Sequence, residues 1–168
     1  VVKVALDLLK RDCRSVLSGE ISRSENTGNI YVGTWGESSV LQALAETHQL
    51  DVAQLNEHKE AFLLNVLPDG RLVVAGGTAY GVLELSRMMG VSPWEWWADA
   101  VPEKKEEFRL PAGFRKLDYP QVAYRGIFIN DEDWGLMPWS SRTYEPSKVK
   151  GEIGPRTNER IFELLLRL

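Results

Sequence analysis

Cysteine, histidine and long apolar runs are scarce in this chain. The lone Cys13 excludes an intrachain disulfide and is most simply a small core residue. His48 and His58 lie in a polar stretch with no cysteine or carboxylate at ligand spacing, so no metal is expected. No apolar run approaches the ~20 residues that a membrane span needs. An excess of positive charge is also missing. The 20 basic and 24 acidic residues leave a net charge of -4, which argues against sequence-independent binding of nucleic acid. Residues 33–36 and 75–78 are glycine-containing but match neither phosphate-loop pattern, so they predict tight turns and no nucleotide cofactor. Ser92 and Ser140 have no histidine–aspartate arrangement near them in sequence, which leaves a serine nucleophile without support.

What is abundant is tryptophan. All six indoles lie at or beyond residue 35, three of them within residues 94–97 and two at Trp134 and Trp139. Such rings pack cores and interfaces, and they also stack on the apolar face of a sugar. Both readings stay open at this stage.

Along the chain, the three- and four-residue spacing of Val4, Leu8, Leu9, Asp12, Cys13 and Val16 predicts a one-sided helix over 1–18. Residues 29–34 form a β-branched strand, and Ser38 or Ser39 caps a helix with Leu41, Leu44 and Ala45 inward. Two apolar runs, 61–67 and 71–75, flank a Pro-Asp-Gly turn and predict a hairpin. Thr78 caps a helix that buries Ala79, Val82, Leu83, Leu85 and Met89, and Gly90 stops it. Residues 94–97 alternate if extended, with Trp94 and Trp96 on one side and Glu95 and Trp97 on the other. The charge run 103–107 predicts a solvated linker or hairpin. This order predicts an α+β fold with a mixed β-sheet flanked by helices, and a boundary near 120 that divides the chain into 1–120 and 121–168. The chain starts inside one helical pattern and stops inside another, as a piece of a longer protein would.

Residues 124–134 concentrate the chemistry. An apolar strand over 125–129 runs into Asn130, Asp131, Glu132, Asp133 and Trp134. Crowded carboxyl groups retain a proton more readily, as a general acid requires. A loop of solvated acids is the plain alternative.

Three blocks then carry a resemblance: residues 77–86 (GTAYGVLELS), 90–102 (GVSPWEWWADAVP) and 124–132 (YRGIFINDE). In this order they resemble the N-terminal part of glycoside hydrolase family 115, the xylan α-glucuronidases. The middle block is similar to the N-terminal domain of family 67 α-glucuronidases and of hexosaminidases. The resemblance implies an accessory domain over 1–120, then the first strand and helix of a truncated (β/α)8 barrel over 121–168. It implies an inverting hydrolase that removes glucuronic acid or its 4-O-methyl ether from glucuronoxylan, with no cofactor and the main acid and base beyond this segment. Asn130 and Asp131, with Glu132 and Trp134, would line the substrate pocket, and Trp94, Glu95 and Trp97 would reach it from the accessory domain. The resemblance also implies a polysaccharide or oligosaccharide substrate and a periplasmic or secreted location, whereas the unpaired edges of the 125–129 strand suggest pairing with a second copy, a homodimer. A barrel needs ~250 residues, so the segment alone is expected to be inactive. The loop after Trp134 departs from the family pattern. That departure keeps a glycosidase of different sugar specificity in view, and the Trp94–Trp97 platform keeps a non-catalytic carbohydrate-binding or scaffolding module in view.

Overall fold

The computed structural model describes the chain except residues 1, 20, 23–27, 131 and 147–150 and the side chain of residue 78. It divides into two compact units, Val1–Gln121 and Val122–Leu168. In the first unit the elements run α1 (Val2–Leu17), β1 (Ile30–Gly33), α2 (Ser39–Thr47), α3 (Ala53–Glu57), β2 (Phe62–Val66), β3 (Leu72–Gly76), α4 (Thr78–Met89) and β4 (Arg115–Asp118).

Four strands form one mixed sheet in the order β1-β3-β2-β4. The hairpin predicted around Pro68-Asp-Gly70 is its centre: β2 and β3 are antiparallel, with Leu64 opposite Val74. β1 adds parallel to β3, with Val32 opposite Val74. All five residues of β3 are buried, as suits a strand covered on both faces. On one face Val73 and Ala75 pack with Leu41 and Leu44 of α2 and with Leu67. On the other α4 comes so close that a Cβ at Gly81 would lie 3.0 Å from Val74 Cγ1. Each fully buried aliphatic side chain here contributes about 1.5–3 kcal/mol.

The helices follow from their sequence signals. Ser38 is the cap of α2, its Oγ accepting the Leu41 N–H at 3.3 Å. The N-cap of α4 falls on Gly77, with Thr78 the first helical residue. All five expected residues of α4 are buried, and Gly90 closes it in the left-handed region at φ 102°. In α1 the inward residues are Ala5, Leu9, Asp12, Cys13 and Val16, whereas Val4 faces out. α1 packs on α4, where the Cys13 thiol meets Met89 Sδ at 3.8 Å.

Two findings go beyond the sequence reading of this unit. β4 pairs antiparallel with β2, from Phe62 opposite Asp118 to Asn65 opposite Arg115. It is a charged edge strand, a composition that discourages further pairing and also hides the strand from pattern reading. The charge run 103–107 is exposed throughout, as a solvated linker should be, and it is also tethered to α1. The Lys105 N–H donates to Val16 O at 2.9 Å, and Lys104 Nζ donates to Arg14 O at 3.0 Å. These bonds satisfy carbonyls that the last turn of α1 leaves open.

The second unit holds α5 (Leu136–Trp139), a wide π turn (Ser140–Tyr144) and α6 (Pro155–Arg167). Residues 125–129 join no sheet among the described residues, and Tyr124 and Phe128 are 96% and 90% exposed. A parallel strand takes its hydrogen bonds from neighbouring strands, and the described part of this unit contains no other strand. No helix among the described residues is long and apolar enough to cross a membrane.

Candidate functional site

The tryptophan-rich segment of the first unit is a succession of tight turns rather than an extended strand. Its start is fixed by Ser92, whose carbonyl accepts the Glu95 N–H at 3.1 Å and whose Oγ accepts the Trp94 N–H at 3.1 Å. Ala98 N then donates to Trp94 O at 2.8 Å. Turning, instead of alternating, brings the neighbours Trp96 and Trp97 edge to face, with centroids 4.9 Å apart and planes at 88°. Trp94 is left 46% exposed. Glu95 is half-buried and lies 3.8 Å from the Arg11 guanidinium, which also reaches buried Asp12 at 3.6 Å. Arg11 thereby ties this turn to α1.

The acid segment lies in the second unit. Asn130 Oδ1 accepts the Glu132 N–H at 3.3 Å, an Asx turn that bends the chain immediately after the apolar stretch. Glu132 O accepts the Gly135 N–H at 3.2 Å, and Glu132 Oε2 accepts the Trp134 indole N–H at 2.9 Å. Asn130, Glu132 and Trp134 are therefore joined by hydrogen bonds, and Trp134 is 77% exposed with its ring oriented by Glu132. Glu132 and Asp133 are exposed carboxylates. Asp131 lies outside the described residues.

Sequence reasoning missed how the rest of this unit is built. After Trp139 the helix widens, and Glu145 N donates to Ser140 O, five residues back, at 2.7 Å. Residues five apart on an α-helix point roughly 140° away from each other. The wider turn brings them back to one side, so that Trp139 and Tyr144 stack with centroids 5.2 Å apart and planes at 9°. The Arg156 guanidinium also lies over the Tyr144 ring, 4.9 Å from its centroid.

Beneath lies a buried polar knot. Ser140 Oγ and Thr157 Oγ1 are 2.8 Å apart, and Ser140 Oγ accepts the Gly154 N–H at 3.0 Å. Glu145, 2% exposed, accepts the Thr157 N–H at 2.6 Å and the Thr157 hydroxyl at 3.0 Å. Burial pushes the Glu145 carboxyl up. The backbone N–H groups of Thr157 and Arg156, with the Thr157 hydroxyl, outweigh that and hold it below the usual carboxylate value. Gly154 stands at the N-cap of α6 without a side chain to offer, and Glu145 supplies the carboxylate from nine residues upstream. A Cβ at Gly154 would lie 2.5 Å from Glu145 Cδ. Pro155 at the first helical position marks the helix start in the sequence, but nothing local marks its cap.

Of the residues that resemblance assigned to a pocket, Trp94, Glu95 and Trp97 belong to the first unit, and Asn130, Glu132 and Trp134 to the second. His58 stacks on Tyr119 with centroids 3.7 Å apart.

The family model described as Glycosyl hydrolase family 115 matches residues 117–168. No curated protein matches the chain. Among solved structures, a novel family GH115 4-O-methyl-α-glucuronidase, BtGH115A, with specificity for decorated arabinogalactans, is 64% identical with a TM-score of 0.90. The match covers 99% of this chain and 22% of that one, so the chain spans about a fifth of the length of its relative. By the family match and by this likeness in sequence and structure, the chain belongs to glycosyl hydrolase family 115.

Proposed function

We propose that this chain serves an α-glucuronidase, a glycoside hydrolase that releases glucuronic acid or its 4-O-methyl ether from a polysaccharide. The observation that carries the reading is the 64% identity over 99% of the chain to a 4-O-methyl-α-glucuronidase. That relative's specificity for decorated arabinogalactans supports such a polymer as substrate beside glucuronoxylan. The chemistry proposed is inversion, in which a carboxylic acid protonates the leaving oxygen while a carboxylate activates water on the opposite face of the sugar.

Within this reading Asn130, Asp131, Glu132 and Trp134 of the second unit contribute to substrate binding, and Trp94, Glu95 and Trp97 of the first unit are substrate-binding residues as well. A barrel of ~250 residues supplies the acid and base, so the 168-residue chain alone is expected to be silent. A polymer substrate outside the cytoplasm favours a periplasmic or secreted location, and a homodimer remains part of the proposal.

The test is to incubate the whole protein, and this chain as control, with decorated arabinogalactan and with glucuronoxylan, and to measure released uronic acid. Release by the whole protein, its loss in Asp131→Ala and silence from the chain are expected. A folded protein that releases no uronic acid from either polymer refutes the enzyme reading. Full activity in Asp131→Ala refutes the pocket assignment and leaves the family untouched.

A further inference from the structure

The backbone of the tryptophan-rich turn is held by its own hydrogen bonds, from Trp94 and Glu95 back to Ser92 and from Ala98 to Trp94. Those bonds do not fix where the Glu95 side chain points. Among the described residues its polar partner is Arg11 of α1, whose Nη2 lies 3.8 Å from Glu95 Oε2. The same nitrogen lies 3.6 Å from Asp12 Oδ1. Consecutive residues on a helix point about 100° apart, so helical geometry alone does not turn Arg11 towards Asp12. The reason is burial. Asp12 is 1% exposed, and a carboxylate taken out of water requires a countercharge. Arg11 is thus anchored by Asp12 on one side and meets Glu95 on the other.

The two oxygens of Glu95 differ in consequence. Oε2 faces the guanidinium, whereas Oε1 accepts no hydrogen bond among the described residues, and the side chain is 28% exposed. A carboxylate with one oxygen held and the other without a donor is an acceptor set in advance, which lowers the ordering cost of binding a hydroxyl. Without the guanidinium, two carboxylates that share one nitrogen would repel each other, and Glu95 is the one of the pair with room to swing away.

We propose that Arg11 is a positioning residue for substrate binding: it holds one oxygen of Glu95 so that the other accepts a hydrogen bond from a sugar hydroxyl. The role of Glu95 towards substrate rests on the α-glucuronidase reading, whereas the hold of Arg11 on Glu95 rests on the geometry of the ion pairs.

The test measures KM and kcat for uronic acid release by the whole protein from decorated arabinogalactan and from glucuronoxylan. The variants are Glu95→Ala, Arg11→Met, Arg11→Lys and the double variant of Glu95→Ala with Arg11→Met. Glu95→Ala should raise KM about tenfold, as loss of one hydrogen bond to a charged group implies. Arg11→Met should raise it about threefold or more with kcat little changed, and Arg11→Lys should recover part of that. In the Glu95→Ala background Arg11→Met should add no further rise, because its effect runs through a carboxylate already removed. If Arg11→Met does not fold, the same comparison is made in Asp12→Asn, where the buried charge that needs Arg11 is gone. An equal factor from Arg11→Met in both backgrounds overturns the positioning role, and so does an unaltered KM. An unaltered KM in Glu95→Ala removes Glu95 from substrate binding and the proposal with it, while uronic acid release leaves the enzyme reading standing. Without uronic acid release from either polymer the enzyme reading fails. Calorimetric titration of the same variants with oligosaccharides of both polymers then decides by the same comparison of Kd, and absence of binding overturns the proposal.

Discussion

Gly76 ends β3 at φ 104°, and its neighbour across the hairpin is backbone rather than side chain. Replacing it with alanine would put a Cβ 2.2 Å from Ala61 O and 2.9 Å from Phe62 Cα. Forcing an L side chain to a positive φ costs about 1–2 kcal/mol. The contact adds a second cost, because ordinary separation at about 3.5 Å lies roughly 1 Å further out than the Cβ would sit. Neither contacted atom can rotate away. The strands must part where Phe62 opposes Gly76, and Ala61 O must give up the Gly77 N–H that it accepts. One lost backbone hydrogen bond removes about 0.5–1.5 kcal/mol, more if its partners stay buried. With the hydrogen-bond partners left buried, at about 1–3 kcal/mol, and the overlap itself added to the conformational cost, Gly76→Ala comes to about 3–5 kcal/mol of destabilisation. Gly70 is the internal control, since its φ is 86° but a Cβ there would meet nothing within 4 Å. Gly70→Ala should therefore cost only the conformational part, about 1–2 kcal/mol. Urea unfolding of both variants, with matched m-values, measures the difference, expected near 2–3 kcal/mol. Equal losses in the two variants would show that the backbone approach at Gly76 contributes nothing and would refute this reasoning.

Glu84 accepts from Arg87 Nε at 2.7 Å and from Lys116 Nζ at 2.8 Å, so it joins α4 to the edge strand β4. Burial pushes its carboxyl up, but the bonds from Arg87 and Lys116 prevail and hold it below its ordinary 4.5. A lowered folded value gives stability that is complete above 4.5 and disappears as pH falls through the depressed value. Thermal melts below pH 4.5 should thus decline more steeply in wild type than in Glu84→Gln, and parallel curves would contradict the pairing. In the second unit, Glu145→Ala should speed hydrogen exchange at the Thr157 amide and fray the first turn of α6. Glu159→Ala, exposed on the same helix, should leave that amide protected, and like behaviour of the two variants would remove Glu145 from its capping role.

Much of the first unit was legible because its signals are local. The hairpin announced itself through Pro68-Asp-Gly70 between two apolar runs, the α2 cap through Ser38, and the end of α4 through Gly90. β4 was not, since Arg115-Lys-Leu-Asp118 lacks the apolar alternation that marks a strand and takes its ladder from β2, some 50 residues earlier in the chain. The apolar run 125–129 is the reverse case, joining no sheet among the described residues. Its composition suits a strand, but composition cannot supply the neighbour that a ladder needs. At the candidate site, residues 130–134 were picked out by the crowding of acids beside an indole, and the hydrogen bonds among Asn130, Glu132 and Trp134 are of the short-range kind that such crowding suggests. The stack of Trp139 and Tyr144 was hidden by periodicity itself. Five-residue spacing reads as opposite faces on any helix of ordinary pitch, and only the widened turn reverses that.

The close approach of Gly154 to Glu145 ties the histories of two positions together. Any side chain at 154 collides with the carboxylate that caps α6, and any shortening at 145 takes away the cap that residue 154 does not provide. A relative with serine, aspartate or asparagine at 154 could cap the helix from its own N-cap position and would be released from the need for glutamate at 145. Glycine with glutamate, or a capping side chain with a small residue, are the two self-consistent pairings. Each single step between them passes through a protein with either a clash or an open helix end. Among family members the two positions should therefore change as a pair, and the loop between them is free to vary in length only where that pair is kept.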